Sequence, residues 1–140
     1  MFKKILVATD GSKPANRASN VAADLAEKYL ASILLLSVVQ PRSHIRIGVS
    51  IEYLTILKTR HEKLLAASKR KLEKNKPALK VSTKLLIGRP SKKIVQMAKE
   101  EGSDLIVIGS RGLGGMNRHL LGSVSDRVAN EAPCPVLIVK

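Results

Sequence analysis

Two hydrophobic rhythms alternate along this chain. Phe2 to Thr9 and Ser32 to Val39 are near-continuous apolar runs, Val81 to Ile87 alternates apolar with polar, and Asp104 to Ile108 and Val136 to Val139 are again mainly apolar. Short runs of this kind predict strands, and the continuous ones predict strands covered on both faces. Between them the apolar residues recur at three and four residue spacing, as on one face of a helix. Ala18, Val21, Ala22, Leu25, Ala26 and Tyr29 form the first such stripe, and Leu54, Leu57, Leu64, Leu65 and Leu72 the second, from Ile51 to about Lys76. Ile94, Val95 and Ala98 form a third within Ser91 to Glu101, and Val124 to Ala132 reads as a last helix.

Turn and cap residues sit where one rhythm gives way to the other. Asp10-Gly11-Ser12 is a turn signal, with Ser12 placed to cap a helix and Pro14 close to its first turn. Pro41 and Pro77 end the segments before them, Gly88-Arg89-Pro90 turns into the third helix, and Gly102 stands at its C-cap. Arg42 to Ser50, with His44, Arg46 and Gly48, shows no period and reads as a solvated loop. Five strands alternating with four helices predict one α/β domain over residues 1–140, a Rossmann-like three-layer sandwich around a five-stranded parallel sheet. Right-handed crossovers with helices on both faces give the strand order 3-2-1-4-5. That order brings Asp10 and Gly109 to neighbouring strand ends at the switch point.

The stretch after the fourth strand carries the chemistry. Gly109-Ser110-Arg111-Gly112 is followed by nine residues, Leu113 to Leu121, and then by Gly122-Ser123-Val124-Ser125. A strand thus feeds a glycine-rich loop and a helix N-terminus, where the backbone can approach an anion and free N–H groups point at it. Arg111 adds a fork of donors. A Walker A loop is excluded, because Gly115 and Met116 follow Gly114 where a Lys-Ser/Thr pair is needed. The dinucleotide fingerprint fits poorly, because Asn117 holds the position of its third glycine.

What remains, Gly, two residues, Gly, nine residues, Gly-Ser, resembles the ATP-binding signature of the universal stress protein family. Lys3 to Ser12 resembles that family's first strand and its acidic end, Gly88-Arg89-Pro90 with Ile94 the start of its third helix, and Asp104 to Gly109 its fourth strand. Ala132 to Val139 resembles its closing strand, so the likeness covers the whole chain. The resemblance implies a site for ATP, or for ADP or AMP, formed by Ala8, Thr9, Asp10, Val38, Val39, Gly109, Ser110, Arg111, Gly112, Gly122, Ser123, Val124 and Ser125. In that site backbone groups near Val38 and Val39 pair with the adenine edge, and Ala8 and Val39 form an apolar wall. The glycines and the Ser123 and Ser125 hydroxyls hold the phosphates, and Mg2+ enters through phosphates and water. Asp10 has two readings, an acceptor for ribose hydroxyls or simply the start of a turn. Arg118 and His119 either add charge near the terminal phosphate or are solvated.

Composition narrows the classes. The chain has 140 residues with one Phe, two Tyr and no Trp, so its core is aliphatic. The lone Cys134, between two prolines, excludes an internal disulfide and any multi-cysteine zinc site, and reads as structural. The start Met1 to Asp10 is too short for a signal segment and no apolar stretch reaches the length of a membrane span, so the expected compartment is the cytoplasm. The net charge of +14 is unusual. It suits either an anionic partner or solvated lysine-rich helices, and the shortage of aromatics disfavours a single-strand nucleic-acid module.

No Ser or Cys has a His beside it in a catalytic arrangement, and no carboxylate beside the loop is an obvious general base. The expected function is nucleotide-dependent stress response or signalling, with at most weak ATP hydrolysis. Two other classes stay open: a basic interaction module for RNA or acidic partners, and an enzyme of the adenine-nucleotide hydrolase-like group, whose Ser-Gly-Gly loop this chain lacks. Val136 to Val139, as the last strand of the sheet, would present an apolar edge. The expected resolution is a homodimer paired through that strand, as the resemblance also implies.

Overall fold

Alternation along each strand sorts the apolar side chains onto two faces, and helices cover both. The computed structural model describes residues 1–41, 51–111 and 121–140. Its elements run β1 (Lys4–Ala8), α1 (Lys13–Tyr29), β2 (Ser32–Val39), α2 (Ile51–Asn75), β3 (Lys80–Ile87), α3 (Pro90–Glu101), β4 (Leu105–Gly109), α4 (Ser123–Glu131) and β5 (Val136–Val139). The strands form one parallel sheet in the order β3-β2-β1-β4-β5, the order expected from the sequence.

On one face Ile5, Val7, Ile33, Leu35 and Val107 pack with Ala18, Ala22 and Ala26 of α1 and with Leu65 and Leu72 of α2. On the other, Leu6, Ala8, Leu36, Ile106 and Ile108 pack with Ile94, Met97 and Ala98 of α3 and Val128 of α4. Leu6, Leu35, Leu36 and Ile106 are no more than 1% exposed, and each such burial is worth about 1.5–3 kcal/mol. The small inner face of α1 lets it lie close on the sheet. Its first turn is capped as the sequence predicts: the Ala15 N–H donates to Ser12 Oγ at 3.3 Å.

Three details depart from the sequence reading. Within α2 only Leu65 and Leu72 are buried, whereas Leu54, Leu57 and Leu64 are half-buried and Ile51 and Ile56 face outward. The N-terminal half of this helix therefore lies near the rim of its face. Tyr29 is not on the inner face of α1; it is 38% exposed and meets the Phe2 ring edge-on at 5.4 Å. Gly109 is glycine for packing. A Cβ there would stand 2.8 Å from the Pro14 backbone carbon and 3.0 Å from the Ala15 nitrogen, so α1 starts directly against the end of β4. The sequence reading gave this glycine a phosphate-binding role, and it does line the cavity described below.

Candidate functional site

The order of the sheet leaves a crevice where β1 and β4 end side by side, since the crossovers from these strands leave toward opposite faces. A cavity of about 400 Å³ opens there. Of the residues expected at the site, Ala8, Thr9, Asp10, Val38, Gly109, Arg111, Gly122, Ser123, Val124 and Ser125 line it. Gly112, Arg118 and His119 lie outside the described residues, as do residues 42–50, where the sequence predicts a loop.

Each wall has a local cause. Asp10 follows β1 and accepts the Ser12 N–H at 2.9 Å, a turn closed by Gly11 at φ 80. This bond is the turn reading of Asp10, and the same carboxylate lines the cavity, as its reading as an acceptor requires. Thr9 is buried; its N–H donates to the Leu36 carbonyl at 2.9 Å and its hydroxyl accepts the Gly11 N–H at 3.3 Å.

At the opposite wall the chain returns to the strand it left. The Gly122 N–H donates to the Ser110 carbonyl at 2.7 Å, and a Cβ on Gly122 would come within 3.3 Å of that same oxygen. Gly122 is also the N-cap of α4 and has no side chain to bond the first turn. The first-turn N–H groups at Ser123 and Val124 lack carbonyl partners within the helix and stand at the cavity wall, where an anion is favoured. Ser123 is exposed.

One expected role gains a structural reason and another needs correction. Ser125 is 2% exposed and its hydroxyl lies 2.9 Å from the Ser110 carbonyl and 3.0 Å from that of Gly122, so it clips the start of α4 to β4 while lining the cavity. Val39 does not line the cavity. It is fully buried on the sheet face opposite Val38, and its carbonyl already accepts the Gly88 N–H at 2.9 Å. The apolar wall is made by Leu36, Val38, Ile94 and Ile108 beside Ala8, with Gln40 and Pro90 at the same cavity. Strand parity could have found Leu36, two residues before Val38; the contribution of Ile94 required the packing of α3.

Behind the Asp10 turn stands α2. Leu64 of that helix covers Gly11, and His61 Nδ1 lies 2.6 Å from the Oγ of buried Ser37. His61 falls at the spacing of the apolar stripe of α2, a boundary position on that helix. Burial, and secondarily the Arg60 guanidinium, hold its imidazole below the ordinary value, while the Asp10 carboxylate pulls the other way. Burial also raises the Cys134 thiol, which is packed against the α3–α4 core and stays protonated. Among the described residues no three His, Cys, Asp or Glu come together to hold a metal ion, and no helix is long and apolar enough to cross a membrane.

A parallel α/β domain with strand order 3-2-1-4-5 and helices on both faces belongs to the class of Rossmann-like folds. Comparison with known proteins narrows this. The family model described as "Universal stress protein family" matches residues 1–140. A universal stress protein of Thermus aquaticus, encoded beside a QAH/OAS sulfhydrylase, is 40% identical over 144 residues, with both chains fully covered. Among solved structures, the hypothetical protein MJ0577 superposes with a TM-score of 0.81 at 30% identity, covering 100% of this chain and 96% of that one. A universal stress protein solved in complex with cAMP gives a TM-score of 0.78 at 26% identity, covering 99% and 97%. The chain belongs to the universal stress protein family.

The lowered His61 value makes a prediction about stability. The folded state binds the proton less well than the unfolded chain, whose histidine titrates near 6.5. The contribution is therefore complete above that pH and is lost as the pH falls through it toward the folded value. In urea titrations the unfolding midpoint should drop between pH 7.5 and 5, and His61→Gln should flatten the drop. Equal pH dependence in both proteins would contradict the assignment.

Proposed function

We propose that the crevice binds an adenine nucleotide, ATP or its ADP and AMP products, and that the protein is a nucleotide-dependent stress-response or signalling protein. The observation that carries this reading is that Asp10, Val38, Ser123 and Arg111 all face one cavity of about 400 Å³, within the usual range of small-molecule sites. An adenine ring suits the apolar wall of Leu36, Val38 and Ile94. Ribose hydroxyls suit the Asp10 carboxylate, and phosphates suit the start of α4 with the Arg111 guanidinium. A structural relative solved with cAMP supports the choice of adenine nucleotides.

Asp10 is the one acidic residue among the described lining. A magnesium ion would therefore be held through phosphates and water, as this cation commonly is. That carboxylate stands on the ribose side and not at a terminal phosphate, so hydrolysis, if present, is slow. Titration calorimetry with ATP and Mg2+ tests the reading. Val38→Trp, which fills the apolar end, should weaken binding at least about tenfold, a loss of roughly 1.4 kcal/mol, with an unchanged helical circular dichroism signal. No heat from the wild type, or equal affinity in the variant, would remove it. Gly109 is a poor test position, because any side chain there collides with α1.

We further propose a symmetric homodimer formed by antiparallel pairing of Val136–Val139 with its twin. β5 ends the sheet with β4 as its partner, and Leu137 is 37% exposed on it. Pairing would satisfy that open edge. Light scattering at micromolar concentration should give twice the 15.2 kDa chain mass, and the single-chain mass throughout would contradict the dimer.

A further inference from the structure

The outward side of α2 holds a stripe of cations without acidic partners. At 3.6 residues per turn Arg60, Lys63, Arg70, Lys71 and Lys74 fall on one side of the helix, about 21 Å long at 1.5 Å per residue. All five are exposed. The helix and the lysine after it, residues 51–76, carry eight basic residues against three acidic ones. The acids do not intersperse with the stripe. Glu62 and Glu73 rotate away to the side of Lys69, which pairs with Glu73 at 3.7 Å. Asp24 and Glu27 of α1 take Lys76 at 3.2 and 2.9 Å. Among the described residues no acid lies within ion-pair distance of the stripe.

An ordinary solvated helix mixes both signs on its exposed side. Here like charges repeat at the three and four residue spacings where they repel. An array of phosphates would relieve that repulsion. Leu65 and Leu72 hold the opposite side of α2 in the core, so the cations sit on a fixed rod. The face also lies beside β3, at the far edge of the sheet from β5, and would stay open in a dimer paired through β5.

We propose that this face of α2 docks on the phosphate backbone of duplex DNA, without sequence preference. The major groove of B-form DNA admits an α-helix, whereas that of A-form RNA is too narrow for side chains. Single strands are bound mainly by aromatic stacking, and the chain has one Phe, two Tyr and no Trp, with Phe2 and Tyr29 packed on each other. A membrane-surface helix would carry bulky apolar residues next to its basic side. Between Arg60 and Lys74 the uncharged member of the stripe is Ala67, and the one bulky apolar residue in line with it is the exposed Ile56, one turn before Arg60.

The test is fluorescence anisotropy with a labelled 20-base-pair DNA of arbitrary sequence, from about 50 to 200 mM salt. Each phosphate neutralised contributes about −0.9 to the slope of log K against log salt, so five cations predict a slope near −4.5. R60Q/K63Q/K71Q/K74Q should reduce that slope by about 3.6. The variant K28Q/K92Q/K99Q/K140Q removes the same charge elsewhere on the surface and should keep most of the slope and affinity. Circular dichroism verifies that both variants fold. The proposal is overturned if the wild type does not bind DNA, or if the two variants lose affinity equally. It is likewise overturned by tighter binding to duplex RNA, to single strands or to phosphatidylserine vesicles. It rests on observations independent of the crevice, so nucleotide binding can succeed or fail without deciding it.

Discussion

The site depends on what happens at the end of β4. There the Gly122 N–H bonds the Ser110 carbonyl at 2.7 Å, the Ser125 hydroxyl reaches the same oxygen at 2.9 Å, and Gly109 lets Pro14 and Ala15 pack where a Cβ would stand. One strand end therefore fixes two helix starts. The start of α1 is closed by its Ser12 cap, whereas α4 begins at a glycine that caps nothing. A chain that satisfied both starts internally would have the same fold without uncapped N–H groups at the crevice.

The two faces of the sheet divide the remaining work. The α3–α4 face supplies the apolar wall, because Leu36, Val38, Ile94 and Ile108 run from the core into the cavity without a break. The α1–α2 face supplies support: Leu64 stacks on Gly11 and His61 meets Ser37, holding the Asp10 turn from behind. The helix that does this also carries its cations on the side away from the sheet. Its inner side serves the fold and its outer side is free for a partner.

The architecture was legible because regular βα alternation with right-handed crossovers leaves few topologies, and the apolar runs marked all five strands. Most of the crevice was legible too, since turn chemistry at Asp10 and Gly122 is local. The misreadings arose where one residue type serves two purposes. Gly109 is needed by a helix packing across it, whatever its part in the cavity, a requirement that exists only in three dimensions. Ser123 and Ser125, two positions apart on a helix, lie about 200° apart around it, so both line the cavity while only the Ser125 hydroxyl turns back onto the end of β4. Val38 and Val39 are divided by strand alternation in the same way. Those two signals were present in the sequence. The pairing of His61 with Ser37 was not, because it joins elements 24 residues apart.

The central claim is that one crevice, bounded by the β1 exit and the start of α4, takes the nucleotide. The most direct measurement is amide NMR during titration with ATP and Mg2+. The account predicts saturable shifts at Thr9, Asp10, Gly109 to Arg111 and Gly122 to Ser125, with β3 and the outer side of α2 unaffected. Shifts confined to other parts of the chain, or no saturable shift at millimolar nucleotide, would contradict it.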